Sequence, residues 1–174
     1  MSGPWNSVFP TFLELVELRN SAFELLEGRQ YPAQSRDLYL VAGVTCGVMS
    51  NASFDLGHME AAATQARTAY LCAELSGSEW LRTWVRGMQS LIAYWGDHFE
   101  EAVAFASSVR GHAAAQGSAT VRLAGIEARA HARLGDAEGV ETALEAAANA
   151  RESALHPDEY AGMMAFPVEK QLFY

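Results

Sequence analysis

Apolar residues recur along this chain with a helical period nearly everywhere, and the strict alternation of a half-buried strand is almost absent. After Pro10, TFLELVELRNSAFELLEG sets Phe12, Leu15, Val16, Phe23 and Leu26 on one stripe of an N-terminal helix, 3–28, which Gly28 closes. RQYPAQ reads as a linker. Further helices follow at about 34–54, 58–75, 79–95, 98–115, 119–134 and 137–153, separated by short breaks rich in Gly, Ser or Asp. Connections this short leave no room for crossovers, so neighbouring helices pair as antiparallel hairpins. The tail ALHPDEYAGMMAFPVEKQLFY begins irregularly, and a last helix is expected from Pro167, a favourable first-turn residue. The fold class is all-α.

The pattern also repeats. With Gly47, Gly87 and Gly125 in register, GVMSNASFDLGHMEAAATQA lies over GMQSLIAYWGDHFEEAVAFA and then over GIEARAHARLGDAEGVETAL. Small residues recur at Ser50, Ser90 and Ala128. They recur again at Ala62 and Ala102, where the third unit has Val140, at spacings of 40 and 38 residues. A helix pair of this kind cannot cover its apolar face alone, and stacking neighbours would do so. The expected organisation is a capping helix and linker at 1–32, helix pairs at 33–75, 78–115 and 118–153, and a loop with the start of a terminal helix at 154–174. The three pairs would stack as a tetratricopeptide-like right-handed α-solenoid of antiparallel hairpins.

Composition narrows the function classes. A chain of 174 residues with half of them hydrophobic and 19% charged is globular in character. A formal charge of −9, with Lys170 the single lysine, argues against direct nucleic-acid contact, which needs clustered cations, and against a polybasic membrane patch. The N-terminus MSGPWNSVFPTF has no signal-peptide pattern, and no apolar run is long enough to span a bilayer. Cys46 and Cys72 show no metal or redox spacing and read as buried free thiols, so a cytoplasmic location is expected.

The order of small residue, Gly or Asp turn, and second helix of the type HFEEAVAFA resembles a degenerate tetratricopeptide repeat. The phrases RDLYLVAGVTCGVMSNASFDLGHMEAAATQARTAYLCAEL, WLRTWVRGMQSLIAYW, VRLAGIEARAHARLGD and DEYAGMMAFPVEKQLFY are more specific. From about Arg36 to the last residue, they resemble the C-terminal repeat region of actinobacterial helix-turn-helix transcriptional regulators. Those regulators begin with a DNA-binding domain. Here the first helix carries Glu14, Glu17, Glu24 and Glu27 with only Arg19 to meet a phosphate, so DNA binding is not carried over. The relatives also continue beyond the KQLFY segment, and this chain is expected to be a sensor-like fragment or a short relative.

In tetratricopeptide arrays the first helix of each pair lines a concave groove. The resemblance places Val44, Asn51, Phe54 and Asp55 there from the first pair, and Trp84, Leu91, Tyr94 and Trp95 from the second. Arg122, Arg129 and Arg133 would come from the third, with Gly47, Gly87 and Gly125 thinning the floor. Such a surface suits a peptide or a small acidic, amphipathic molecule, because rings supply contact area and guanidinium forks take a carboxylate. The competing reading puts Trp84, Tyr94 and Trp95 in the core and pairs the arginines with Glu127, Asp136 and Glu138.

Catalytic signals are sparse. Glu127 and His131, four apart, could face one groove as an acid/base pair, but EARAH on an alanine-rich helix equally makes a solvated ion pair. His58 and His98 share a repeat position at the start of second helices, which reads as surface or cap chemistry. Arg82, Arg86 and Gln89 share a helical face and read as a solvated polar stripe. None of the five histidines forms an HExxH motif, and no phosphate loop, dinucleotide fingerprint or nucleophile elbow occurs, so no cofactor or metal is expected. The expected function is a non-enzymatic, homo-oligomerising domain that binds a ligand or protein. The alternative is a small helical enzyme, or an accessory protein of a biosynthetic pathway, using the aromatic/arginine groove.

Overall fold

A computed structural model describes residues 5–109 and 118–153. These residues form helices α1 (Trp5–Glu27), α2 (Pro32–Asp55), α3 (Met59–Ser76), α4 (Glu79–Trp95), α5 (Phe99–Ser107), α6 (Ser118–Leu134) and α7 (Ala137–Ser153), with no strand among them. The chain is all-α. The helix expected from Pro167, the segment 154–174 and residues 110–115 of the expected 98–115 helix lie outside the described residues.

Helix α1 runs through Pro10, as the expected 3–28 helix does, and the proline removes one i→i−4 bond about a turn and a half after Trp5. Two boundaries differ from expectation, each for a local reason. Helix α2 starts inside the supposed linker. Pro32 takes its first position, and Gln34 Oε1 accepts the Tyr31 N–H at 3.1 Å, half of a capping box. Helix α5 stops at Ser107, short of 115. There Ser107 Oγ donates to the Val103 carbonyl (2.8 Å) and Ser108 Oγ to that of Phe105 (2.7 Å), so two consecutive hydroxyls compete for the last-turn carbonyls.

The chain divides into two compact units after Leu81, within α4. In the first unit, α2 and α3 run antiparallel. Gly43 faces Ala69 and Cys72, whereas Ser50, further along α2, meets Ala62, earlier on α3. Gly43 is the point of closest approach. A Cβ there would lie 2.7 Å from Leu81 Cδ2 and 2.9 Å from Cys72 Cβ, so no larger residue fits without a shift. Helix α1 packs on α2, and Ala22 of α1, Ala42 of α2 and Cys72 of α3 meet in one cluster flanked by Phe23 and Tyr39. The stripe Phe12, Leu15, Val16, Phe23 and Leu26 is half-buried throughout.

The second unit has an alanine-based core. Ala93, Ala102 and Ala130 meet at one level, with Tyr94, Val103 and Phe105 around them, and Ala106, Val109 and Leu123 meet at another. Advancing along α5 from Ala102 to Ala106 therefore means retreating along α6 from Ala130 to Leu123, which makes these helices antiparallel. Small side chains at the crossings let the backbones approach. Gly87, expected to thin a groove floor, is not forced by crowding: a Cβ there would meet only Leu123, at an ordinary 3.9 Å.

The residues aligned in the sequence carry the same bonds. Ser50 Oγ donates to the Ala62 carbonyl and Ser90 Oγ to the Ala102 carbonyl, each at 2.8 Å and each from a fully buried serine. Ala128, which aligns with these serines in the third unit, has no hydroxyl to do so. The three turns also share one backbone pattern. His58 N–H bonds Ser53 O, His98 N–H bonds Ala93 O and Asp136 N–H bonds His131 O, at 2.8, 2.9 and 3.0 Å. Each turn passes through a left-handed residue: Gly57 (φ 78°), Asp97 (φ 59°) and Gly135 (φ 73°).

Candidate functional site

Side chains on α4, α5 and α6 of the second unit build one aromatic and cationic cluster. Tyr94 stands edge-on to Trp95, with centroids 6.0 Å apart and planes at 88°, and Phe99 meets Tyr94 at 5.6 Å. Arg129 lies over the Tyr94 ring at 4.6 Å and over Trp95 at 6.0 Å. One turn further along α6, Arg133 lies over Phe99 at 4.3 Å. Such stacking is favoured because a guanidinium is planar, weakly hydrated and attracted to the negative face of a ring. Arg133 Nη2 also reaches Asp97 Oδ1 at 3.4 Å, with side chains 52% and 77% exposed. Trp95 is 59% exposed.

Of the residues projected onto a groove, Tyr94, Trp95, Arg129 and Arg133 come together here. The others do not join them. Trp84 is 1% exposed and belongs to the core, so its ring is closed to an incoming ligand. Arg122 is part-buried, with Nη2 3.4 Å from Met88 Sδ. Asn51 donates to Asp55 Oδ2 (2.8 Å) on its own helix in the first unit, where Phe54 is half-buried. Nor is the Arg86 stripe solvated: Arg86 donates to Gln89 Oε1 (2.9 Å), lies 5.4 Å from the Phe105 centroid, and Gln89 is buried.

The two catalytic candidates meet at the third turn, where they are joined by Asp136, read in the sequence as an arginine partner, and by Gly139, which the sequence reading missed. His131 Nε2 lies 3.9 Å from Oε1 of the buried Glu127, and its Nδ1 lies 2.8 Å from Asp136 Oδ2. Asp136 caps α7 by accepting the Gly139 N–H at 3.0 Å. That bond, reinforced by His131 and partly opposed by burial, holds its carboxyl below the usual value. A Cβ on Gly139 would overlap His131 Nδ1 and Asp136 Oδ2, so only glycine leaves room for the pair. In the other two turns the capping residues His58 and His98 make no side-chain cap bond. An open recess beside His131 is lined by Asp136, Glu138, Gly139 and Thr142. Nδ1 thus lies within hydrogen-bond distance of Asp136 at the start of α7, and Nε2 stands beyond that distance from Glu127.

Cys46 and Cys72 are buried in the first unit. Burial pushes the Cys46 thiol up to about 11, against the opposing pull of Arg19, and pushes Cys72 up to about 12, with Cys46 adding to the rise. Among the described residues no group of three His, Cys, Asp or Glu side chains is placed to hold a metal ion, and no helix is long and apolar enough to cross a membrane.

The signal for Asp97 was present in the sequence. Aligning the turns residue by residue puts an aspartate where the others have Gly57 and Gly135. Asp136 could likewise be seen to replace the histidine of the other two caps. Gly139 could not, because its role depends on how one rotamer of His131 leans across the turn. No protein-family model, curated protein or solved structure matches this chain significantly.

Proposed function

We propose that this chain is a non-enzymatic, tetratricopeptide-like binding and oligomerisation domain, related to the sensor region of actinobacterial helix-turn-helix regulators. In this reading its helix pairs stack as a right-handed α-solenoid and receive a peptide or small acidic molecule on the aromatic/arginine face. The observation that carries it is the recurrence of one device at equivalent positions. A buried serine hydroxyl ties the first helix of a pair to the second, and a turn of the same backbone pattern follows, as repeat units require.

Trp95, Tyr94, Arg129 and Arg133 supply what such a face needs: ring surface open to solvent and guanidinium groups positioned by stacking. The enzyme reading gains less support, because His131 Nδ1 already lies 2.8 Å from Asp136, the residue that caps α7. Binding would act on assembly through different affinities for two states of the domain.

The test is native mass spectrometry of the protein purified from its producing host. The reading expects an oligomer, or a retained peptide or small acid that leaves on denaturation. A bare monomer across a wide concentration range contradicts it.

A further inference from the structure

Three turns follow one backbone pattern, and one departs from it at a single residue. Asp97 stands at φ 59°, where its counterparts are Gly57 and Gly135, and it is the one non-glycine residue with positive φ among the described residues. A side chain makes the left-handed conformation costly, and aspartate tolerates it better than most without escaping the cost. A strained residue of this kind directs attention to what its side chain does. The Asp97 carboxylate reaches the guanidinium of Arg133.

That contact is loose. At 3.4 Å it is longer than a well-made guanidinium–carboxylate bond, and its partners are 52% and 77% exposed, so water competes for both. It adds little to stability and is easily exchanged. The rest of the cluster is more firmly placed: Arg133 over Phe99 at 4.3 Å, Arg129 over Tyr94 at 4.6 Å, and the exposed Trp95 ring edge-on to Tyr94.

We propose that this cluster is a binding site for aromatic carboxylates, and that Asp97 is its internal placeholder. Its carboxylate occupies the Arg133 fork in the free protein and gives way to the carboxylate of a ligand whose ring lies against Trp95. The inference rests on the binding-domain reading above and adds the ligand's chemical class. A carboxylate is favoured over other anions because the arginine already holds one. An aromatic body is favoured because the open ring of the same cluster, 59% exposed and 6.0 Å from Arg129 one turn before that arginine, is an indole.

The test titrates the full chain with 2-naphthoate and with the neutral, nearly isosteric 2-naphthamide, followed by amide and indole chemical shifts. The wild type binds the acid about fivefold more tightly than the amide, the scale of one exposed charge pair. In Arg133→Gln that preference disappears. In Trp95→Ala both compounds weaken. In Asp97→Gly the acid binds several-fold more tightly while the amide is unchanged, and the melting temperature rises because glycine relaxes the turn. Thermal melts of each variant separate lost binding from lost fold. Equal affinity for acid and amide, or an Asp97→Gly variant that binds the acid no more tightly, overturns the proposal. If neither compound binds any variant, the aromatic-carboxylate site fails while a peptide retained in the native spectrum leaves the binding-domain reading standing.

Discussion

Replacing Ser50 or Ser90 by alanine tests whether the repeated hydroxyl-to-carbonyl bond supports the fold. Each serine is fully buried and donates at 2.8 Å to a carbonyl twelve residues on, Ala62 or Ala102. The substitution removes the donor and one oxygen atom. The carbonyl left behind sits inside a helix and keeps the main-chain N–H four residues later, so it does not become a buried orphan. The loss is therefore the net worth of one hydrogen bond, about 0.5–1.5 kcal/mol, and not the larger cost of an unsatisfied group. For a chain of this size, ~1 kcal/mol corresponds to roughly 2–4 °C in Tm. Urea unfolding followed by far-UV circular dichroism, with the slope checked for constancy, measures it. The reverse change, Ala128→Ser, offers Val140 the same bond and should be neutral or stabilising by up to about 1 kcal/mol if the third turn is equivalent. The reasoning fails if Ser50→Ala and Ser90→Ala each leave stability unchanged, or if Ala128→Ser destabilises strongly.

Three further outcomes follow from the site geometry. Trp84→Ala should cost about 3–5 kcal/mol as a large-to-small core change, whereas Trp95→Ala should stay within about 0.5 kcal/mol; similar costs for both would contradict their different burial. For Asp136, whose carboxyl titrates below its ordinary 3.8 when folded, the stabilisation is present above that value and fades as pH falls through the folded one. Wild type should therefore exceed Asp136→Asn in Tm near neutrality, with the gap closing in acid, and a gap that widens on acidification would reverse the sign. The Cys46 and Cys72 thiols, raised to about 11 and about 12 and buried, should resist a thiol reagent at mildly alkaline pH until the protein unfolds. Rapid native labelling would show that one of them is open.

What could be read in the sequence was mostly periodic. Helical spacing is repeated many times over, so it survives local exceptions and gives the helix class without reference to tertiary contacts. Aligning Gly47, Gly87 and Gly125 also brought Ser50 and Ser90 into register, and these make identical bonds. The parts that were not legible depend on packing between elements. Trp84 and Trp95 are the same residue type on one helix, eleven positions apart and so close to the same side of it. Yet one is enclosed and the other open, because only the second lies at the helix end. Gly43 matters only because α3 and Leu81 press on it, whereas Gly87, one of the glycines that align across the repeats, is not crowded. Helix α5 looked longer because alanines follow Ser108, but hydroxyl competition at Ser107 and Ser108 acts on the backbone and leaves no trace in hydrophobic period. Arginine placement was legible only as far as spacing allowed. Arg129 and Arg133 share a face of α6, whereas their stacking on Tyr94 and Phe99 required the neighbouring hairpin.

The binding function proposed for this domain rests on the face made by Trp95, Arg129 and Arg133. It is tested most directly by comparing native mass spectra of the wild type and a Trp95→Ala/Arg133→Gln variant, both purified from the producing host and both shown to be folded by circular dichroism. The account predicts a bound species in the wild-type spectrum that is absent from the variant. A bound species retained equally by both proteins, or a wild type that emerges bare, would contradict it.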